Sequence, residues 1–386
     1  MLELLFLLLP IAAAYGWYMG RRSAAQQQQD QQQQLSEKYV AGLNFLLSDQ
    51  ADKAVDLFIE MIEVDSDTID THMALASLFR KRGEVEKAIK IHQNILERSQ
   101  LSQEQHRQTI YELARDFSAV GLLDRAEALY KKIAGKKNVG EQATRELVAI
   151  YQSMRDWHSA ISYAEKLPVD CGMAKQVAQF YCQLADELGE QKIEQRMKYL
   201  RKALKIDSQC VRASIMLAQC YQSQGQYQSA IEFYQQVLEQ DIDMVSEVLV
   251  PLTQCYDDMP DKTPMQHFLM TAVERGAGAS AVITLAELLQ EQQLAQDAEL
   301  LELTQLRRYP SLKGFFHYMD YHLARAMEPE AKASLEMLQQ LVGQQLAVKP
   351  KYRCSNCGFS GNVLQWQCPS CKSWGETKPV RGLDGE

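Results

Sequence analysis

The chain has 386 residues, enough for two or three folding units, and is 46% hydrophobic, so a sizeable core can be buried. Leu, Ala, Gln and Glu dominate while Pro (10) and Gly (19) are scarce, a composition that favours helix over sheet. The net charge of −9, with no long Lys/Arg run, excludes a broad phosphate-binding groove and argues against a nucleic-acid partner. Nine cysteines are present: Cys171, Cys182, Cys210, Cys220 and Cys255 are scattered, and four crowd into residues 354–371. That pattern is not a disulfide framework and suits a reducing compartment, the scattered five being small buried hydrophobes.

The first predicted element is a membrane anchor over residues 1–20. Residues 2–20 are apolar apart from Glu3, and Arg21-Arg22 follow. At about 1.5 Å per residue the run spans roughly 28 Å, enough to cross a hydrocarbon core of about 30 Å. Tyr15, Trp17 and Tyr18 stand where amphipathic rings favour the interface. A cleaved signal peptide would carry its positive charge before the apolar run, and here the order is reversed. The positive-inside rule then places everything after Arg22 in the cytoplasm. Residues 21–34 form a Gln-rich linker of low complexity.

From residue 35 to about 345 the chain repeats at intervals near 34 residues. Ala54, Ala88, Ala126 and Ala160 each close a turn motif, 34, 38 and 34 residues apart, and Ala230 follows after one irregular repeat. Nine residues before each stands a ring: Phe45, Phe79, Phe117, Tyr151 and Tyr221. Gly42, Ala76, Ala114 and Ala218 precede the ring by three, and Phe58, His92, Tyr130, Ala164 and Tyr234 follow the alanine by four. Steps of three and four fall on one helix face, so small residues admit a neighbouring helix and rings fill the gap. This pattern resembles the tetratricopeptide repeat family and implies seven to nine stacked helix pairs with a protein-binding groove. Arg155 departs from it at a turn glycine, and His92 and Ala164 at a large ring. His72, His92, His106 and His158 read as helix-face residues with no assigned chemistry.

Residues 352–376 hold two Cys-x-x-Cys pairs, Cys354/Cys357 and Cys368/Cys371, ten residues apart. Each pair can form a tight turn aiming two thiolates at one ion, and two facing turns give tetrahedral coordination. Such a set suits zinc or iron. The Cys-x-x-Cys-Gly and Cys-Pro-x-Cys elements resemble rubredoxin knuckles, which implies iron. The loop between them is shorter than in rubredoxins, however, and Lys372 stands where a second glycine is usual; a zinc ribbon has the same look. So small a unit needs the metal to fold. Tyr352, Phe359, Trp366 and Trp374 are placed to cover the ion or to contact the repeats, and residues 377–386 read as a tail.

Anchor, repeats and knuckle in this order resemble the bacterial lipopolysaccharide assembly protein B family. The expected architecture is therefore all-α: a tetratricopeptide-repeat superhelix with an N-terminal transmembrane helix and a small C-terminal four-cysteine metal-binding knuckle. The resemblance implies an inner-membrane regulator of lipopolysaccharide level, facing the cytoplasm, that promotes degradation of the lipid A pathway deacetylase by the membrane protease FtsH. It also implies contacts with other lipopolysaccharide-synthesis proteins, and it makes Cys354, Cys357, Cys368 and Cys371 the metal ligands. Self-association is compatible with the sequence. Two rival readings are a rubredoxin-like one-electron carrier and a zinc ribbon for nucleic acid, the second opposed by the acidic charge. No His-Glu-x-x-His, phosphate-cradling glycine loop or Gly-x-Ser-x-Gly supports an enzyme.

Overall fold

The computed structural model describes residues 69–98, 101–168, 172–257 and 259–386, with Met19, Val40, Ala41, Asn44, Phe45 and Lys53 as single positions. The anchor, the linker, most of the first repeat and Cys171 lie outside the described residues. Among those described, no helix is long and apolar enough to cross a membrane. The chain divides into two compact units, residues 1–155 and 156–386.

The first unit contains α1 (Ile69–Lys81), α2 (Val85–Leu96), α3 (Gln103–Ala119), α4 (Leu123–Ile133) and α5 (Gly140–Met154). Consecutive helices pack against each other, and α1 also meets α3. The repeat signature explains this packing. Ala76, Ala88, Ala114 and Ala126 are fully buried, so the helix backbones approach closely, and Phe79, Phe117 and Tyr151 fill the space between. Ser102 starts α3 with a capping box, its hydroxyl accepting from the Gln105 amide. Gly83 and Gly121 turn the chain with φ of +83° and +77°. Arg155 ends α5 at φ +59°, a left-handed conformation that costs an L-residue about 1 kcal/mol.

His92, a helix-face residue without assigned chemistry in the sequence, has polar partners in the fold. It takes a ring position, is fully buried, and places Nδ1 2.5 Å from Asp116 Oδ2. Arg80 donates to the other oxygen of Asp116 at 2.7 Å and to Glu112 Oε2 at 2.6 Å. A buried polar network thus stands where the sequence pattern calls for an aromatic ring. Each member has a partner, although His92 Nε2 is buried without one.

The second unit continues with α6 (Trp157–Ala164), α7 (Ala174–Glu187), α8 (Ile193–Ile206), α9 (Val211–Ser223), α10 (Tyr227–Gln240), α11 (Ser246–Tyr256) and α12 (Thr263–Glu274). It ends with α13 (Ala279–Glu291), α14 (Ala295–Arg308), α15 (Leu312–Leu323) and α16 (Pro329–Val348). A 3-10 turn, Glu190–Lys192, leads into α8, which accounts for the irregular repeat. One hydrophobic core runs from Val211 to Ala298. Ala218 and Ala230 are fully buried in it, and Ala286 and Ala298 repeat that spacing of twelve in the weaker part of the array. After α16 come β1 (Tyr352–Cys354), β2 (Ser360–Gly361) and β3 (Thr377–Pro379), an antiparallel sheet in the order β2-β1-β3. Of residues 377–386, expected as a tail, 377–379 therefore supply a strand of the knuckle, with Cys354 opposite Thr377.

Candidate metal centre and its seat on the repeats

The two Cys-x-x-Cys pairs fold as matching turns. In the first, the Gly358 amide donates to Cys354 O at 2.9 Å and the Cys354 amide to Phe359 O at 2.8 Å. In the second, the Lys372 amide donates to Cys368 O at 2.9 Å and the Cys368 amide to Ser373 O at 2.9 Å. Gly358 turns with φ +77°, and Lys372 makes the same left-handed turn at +59° despite its side chain.

All four Sγ atoms lie within 4.8 Å of one another. Cys354 and Cys371 are 3.8 Å apart, and Cys357 and Cys368 3.6 Å. A tetrahedron with metal–sulfur bonds of about 2.3 Å has edges of about 3.8 Å, so the donors fit one such ion. A disulfide would need about 2.05 Å, and the four thiols are free. Polar groups around the sulfurs favour thiolates: hydrogen bonds from the Ser373 hydroxyl and amide, then Asn356, hold Cys371 down at about 5. Burial pushes Cys354 up to about 11, a cost that a bound cation offsets. Cys354 and Cys368 are buried while Cys357 is exposed, so one edge of the site faces solvent.

The knuckle is seated on the repeats of the second unit. Trp374 is 3% exposed, its ring edge-on to Trp157 at 6.2 Å and to Phe180 at 6.1 Å. Leu364 and Trp366 pack on the hydrophobic core, with the Arg212 guanidinium 5.8 Å from the Trp366 ring. The Tyr352 hydroxyl donates to Glu247 at 3.0 Å. Of the four aromatics noted in the sequence, three thus contact repeats and Phe359 stays exposed.

A row of residues that sequence reasoning missed adds polar contacts to residues 352–386. Lys175, Arg212, Glu247, Ser280 and Lys313 are each the second residue of α7, α9, α11, α13 and α15. Lys175 pairs with Glu376 at 2.5 Å, and Ser280 and Lys313 both hold Glu386. Between helices, Lys378 bridges Asp241 at 2.9 Å and Asp243 at 3.4 Å, and Arg381 pairs with Asp243 at 2.7 Å. The only sequence signal is their spacing of 37, 35, 33 and 33 residues, which carries no meaning until the helix starts are known.

Residues 352–379 match a family model described as a rubredoxin metal binding domain, under a zinc-ribbon label. Residues 71–104 and 188–247 match tetratricopeptide repeat models. Lipopolysaccharide assembly protein B of Escherichia coli strain K12 is 44% identical over 389 residues, all of both chains. The chain belongs to the lipopolysaccharide assembly protein B family. The Haemophilus influenzae member is 40% identical, covering 98% of each chain. Among solved structures, the C-terminal part of a repeat-containing protein from Cytophaga hutchinsonii is 11% identical with a TM-score of 0.40, covering 68% of this chain and 93% of that one. Family membership, repeats and a four-cysteine metal knuckle therefore agree.

Proposed function

We propose that this chain is a non-enzymatic membrane scaffold that sets lipopolysaccharide level. In this reading it promotes FtsH-dependent proteolysis of the lipid A pathway deacetylase and gathers lipopolysaccharide-synthesis proteins at the bacterial inner membrane. Full-length identity of 44% to a protein named for lipopolysaccharide assembly carries the reading. The apolar run over residues 1–20, followed by Arg21-Arg22, supports a single-pass anchor with the bulk of the chain in the cytoplasm. Tethering raises the effective concentration of the repeats near membrane partners.

In this reading Cys354, Cys357, Cys368 and Cys371 hold one ion, zinc or iron. The ion crosslinks two turns that could not fold alone. Its seat on α7, α9 and α11 then fixes the surface those helices present. The test is the Cys354→Ser/Cys357→Ser chain expressed in place of the native one, with deacetylase level and bound metal measured. Loss of both metal and regulation, with normal accumulation of the chain, is expected. Full regulation without metal would refute the knuckle's part.

The solvent-facing Cys357 edge favours a second reading, a one-electron carrier on a docking domain. It requires iron, a visible thiolate-to-iron absorption band in freshly purified protein, and bleaching of that band by a reductase.

A further inference from the structure

The N-terminal ends of α13 and α15 form a receptor for a carboxylate. Gly278, which precedes α13, has no side chain to cap the helix, leaving its first amides short of acceptors. Glu386 fills that role from 106 residues away. One carboxylate oxygen accepts from the Ser280 amide at 2.8 Å, and the other from the Ser280 hydroxyl at 2.6 Å and Lys313 Nζ at 2.5 Å. The side chain of Glu386 is 13% exposed. A Cβ on Gly278 would stand 2.6 Å from Glu386 Cβ, so the site is cut to the shape of an incoming acidic residue.

Beside this receptor lies a cavity of about 520 Å³, lined mainly by Val282, Ile283, Leu306, Tyr309 and Leu383, with Glu386 in its wall. The segment 381–386 walls one side of it through Arg381, Gly382, Leu383 and Glu386 without filling it, and Leu383 is 58% exposed. The tethered occupant thus uses the charged half of the site and leaves the apolar half open.

We propose that residues 381–386 are a displaceable strap over a peptide-docking site, and that its external ligand is a partner-protein segment carrying an acidic residue next to a bulky apolar one. The incoming carboxylate takes the place of Glu386 on Ser280 and Lys313, and the adjacent apolar side chain enters the cavity. Burying one Leu- or Phe-sized group is worth a factor of roughly ten to a hundred in affinity, the advantage that lets a free segment displace a tethered one. This rests on the scaffold reading above and names the chemistry of one docking site within it.

The test uses the full chain in detergent and a fluorescein-labelled peptide, Ser-Gly-Phe-Glu-Gly-Ser, followed by fluorescence anisotropy. Glu386→Gln loosens the strap and should tighten binding about tenfold, whereas Lys313→Ala or Gly278→Ala should weaken it at least tenfold. Peptides with Gln for Glu, or Ala for Phe, should each bind at least tenfold more weakly. No binding to a Glu386→Gln chain that melts like the unmodified one would overturn the proposal, as would equal binding of the Gln peptide. Hydrogen exchange on the unmodified chain gives an independent reading: saturating peptide should speed exchange in 381–386 while the Ser280 amide stays protected, and no change at either would overturn it. These readouts need neither metal nor regulation, so their failure leaves the scaffold reading standing, and failure of the cysteine test leaves these readouts intact.

Discussion

Trp374→Ala probes how the knuckle and the repeats hold each other. The side chain is 3% exposed and packs edge-on against both Trp157 and Phe180, whose own rings lie 5.6 Å apart. Truncating a buried Trp costs about 3–5 kcal/mol, part of it from lost edge-to-face ring contacts. Most of this loss falls on the seating of residues 352–379, because the array core from Val211 to Ala298 is packed by other side chains. A loss of about 3 kcal/mol raises the unseated population more than a hundredfold. Metal release to a chelator and amide exchange across β1–β3 should accelerate by that factor, while exchange in α9–α14 stays within a few-fold of the unmodified chain. Phe359→Ala, at a 40% exposed ring on the same knuckle, should change both by less than threefold. The reasoning fails if Trp374→Ala leaves metal release and knuckle exchange unchanged, or if it melts the array core as much as the knuckle.

Three further predictions follow from local chemistry. Arg155→Gly relieves the φ of +59° and should stabilise the first unit by about 0.5–1 kcal/mol in chemical denaturation. His92→Ala removes a partner from fully buried Asp116 and opens a cavity, so unfolding should become easier by about 3–5 kcal/mol; a change below about 1 kcal/mol would mean the network contributes little. His317 is pushed up to about 9 by the carboxylates of Glu287 and Glu302, above its ordinary value of 6.5. A raised pKa stabilises the fold fully below about pH 6.5, and the contribution fades as pH climbs through about 9. With Glu287 59% exposed, solvent screening reduces it to about 1–2 kcal/mol, and His317→Gln should flatten stability across that pH window.

Much of the site was legible in the chain. Each Cys-x-x-Cys pair can form a tight turn that aims two thiolates at one point, and the four sulfurs do meet. Among the described residues, the alanines from Ala76 to Ala230 and the rings Phe79, Phe117 and Tyr151 are buried where the pattern placed them, because three- and four-residue steps define a helix face without outside help. The pattern was incomplete where burial was polar. It put His92 in a ring position but assigned it no chemistry, missing Asp116 and Arg80, which approach from other helices.

Local spacing, then, determined the helices, their pairing within a repeat and the thiolate cluster, because each depends on residues a few positions apart. Only the tertiary structure decided that Trp374, Tyr352 and Trp366 serve the repeats, that 377–379 is a strand, and that Glu386 caps α13. Apart from the strand, which pairs with residues about 25 positions earlier, those contacts join residues some 100 to 220 positions apart, such as Lys175 with Glu376. Stacking the repeats puts the second residues of successive first helices in one row. No periodicity in the sequence states what that row will hold.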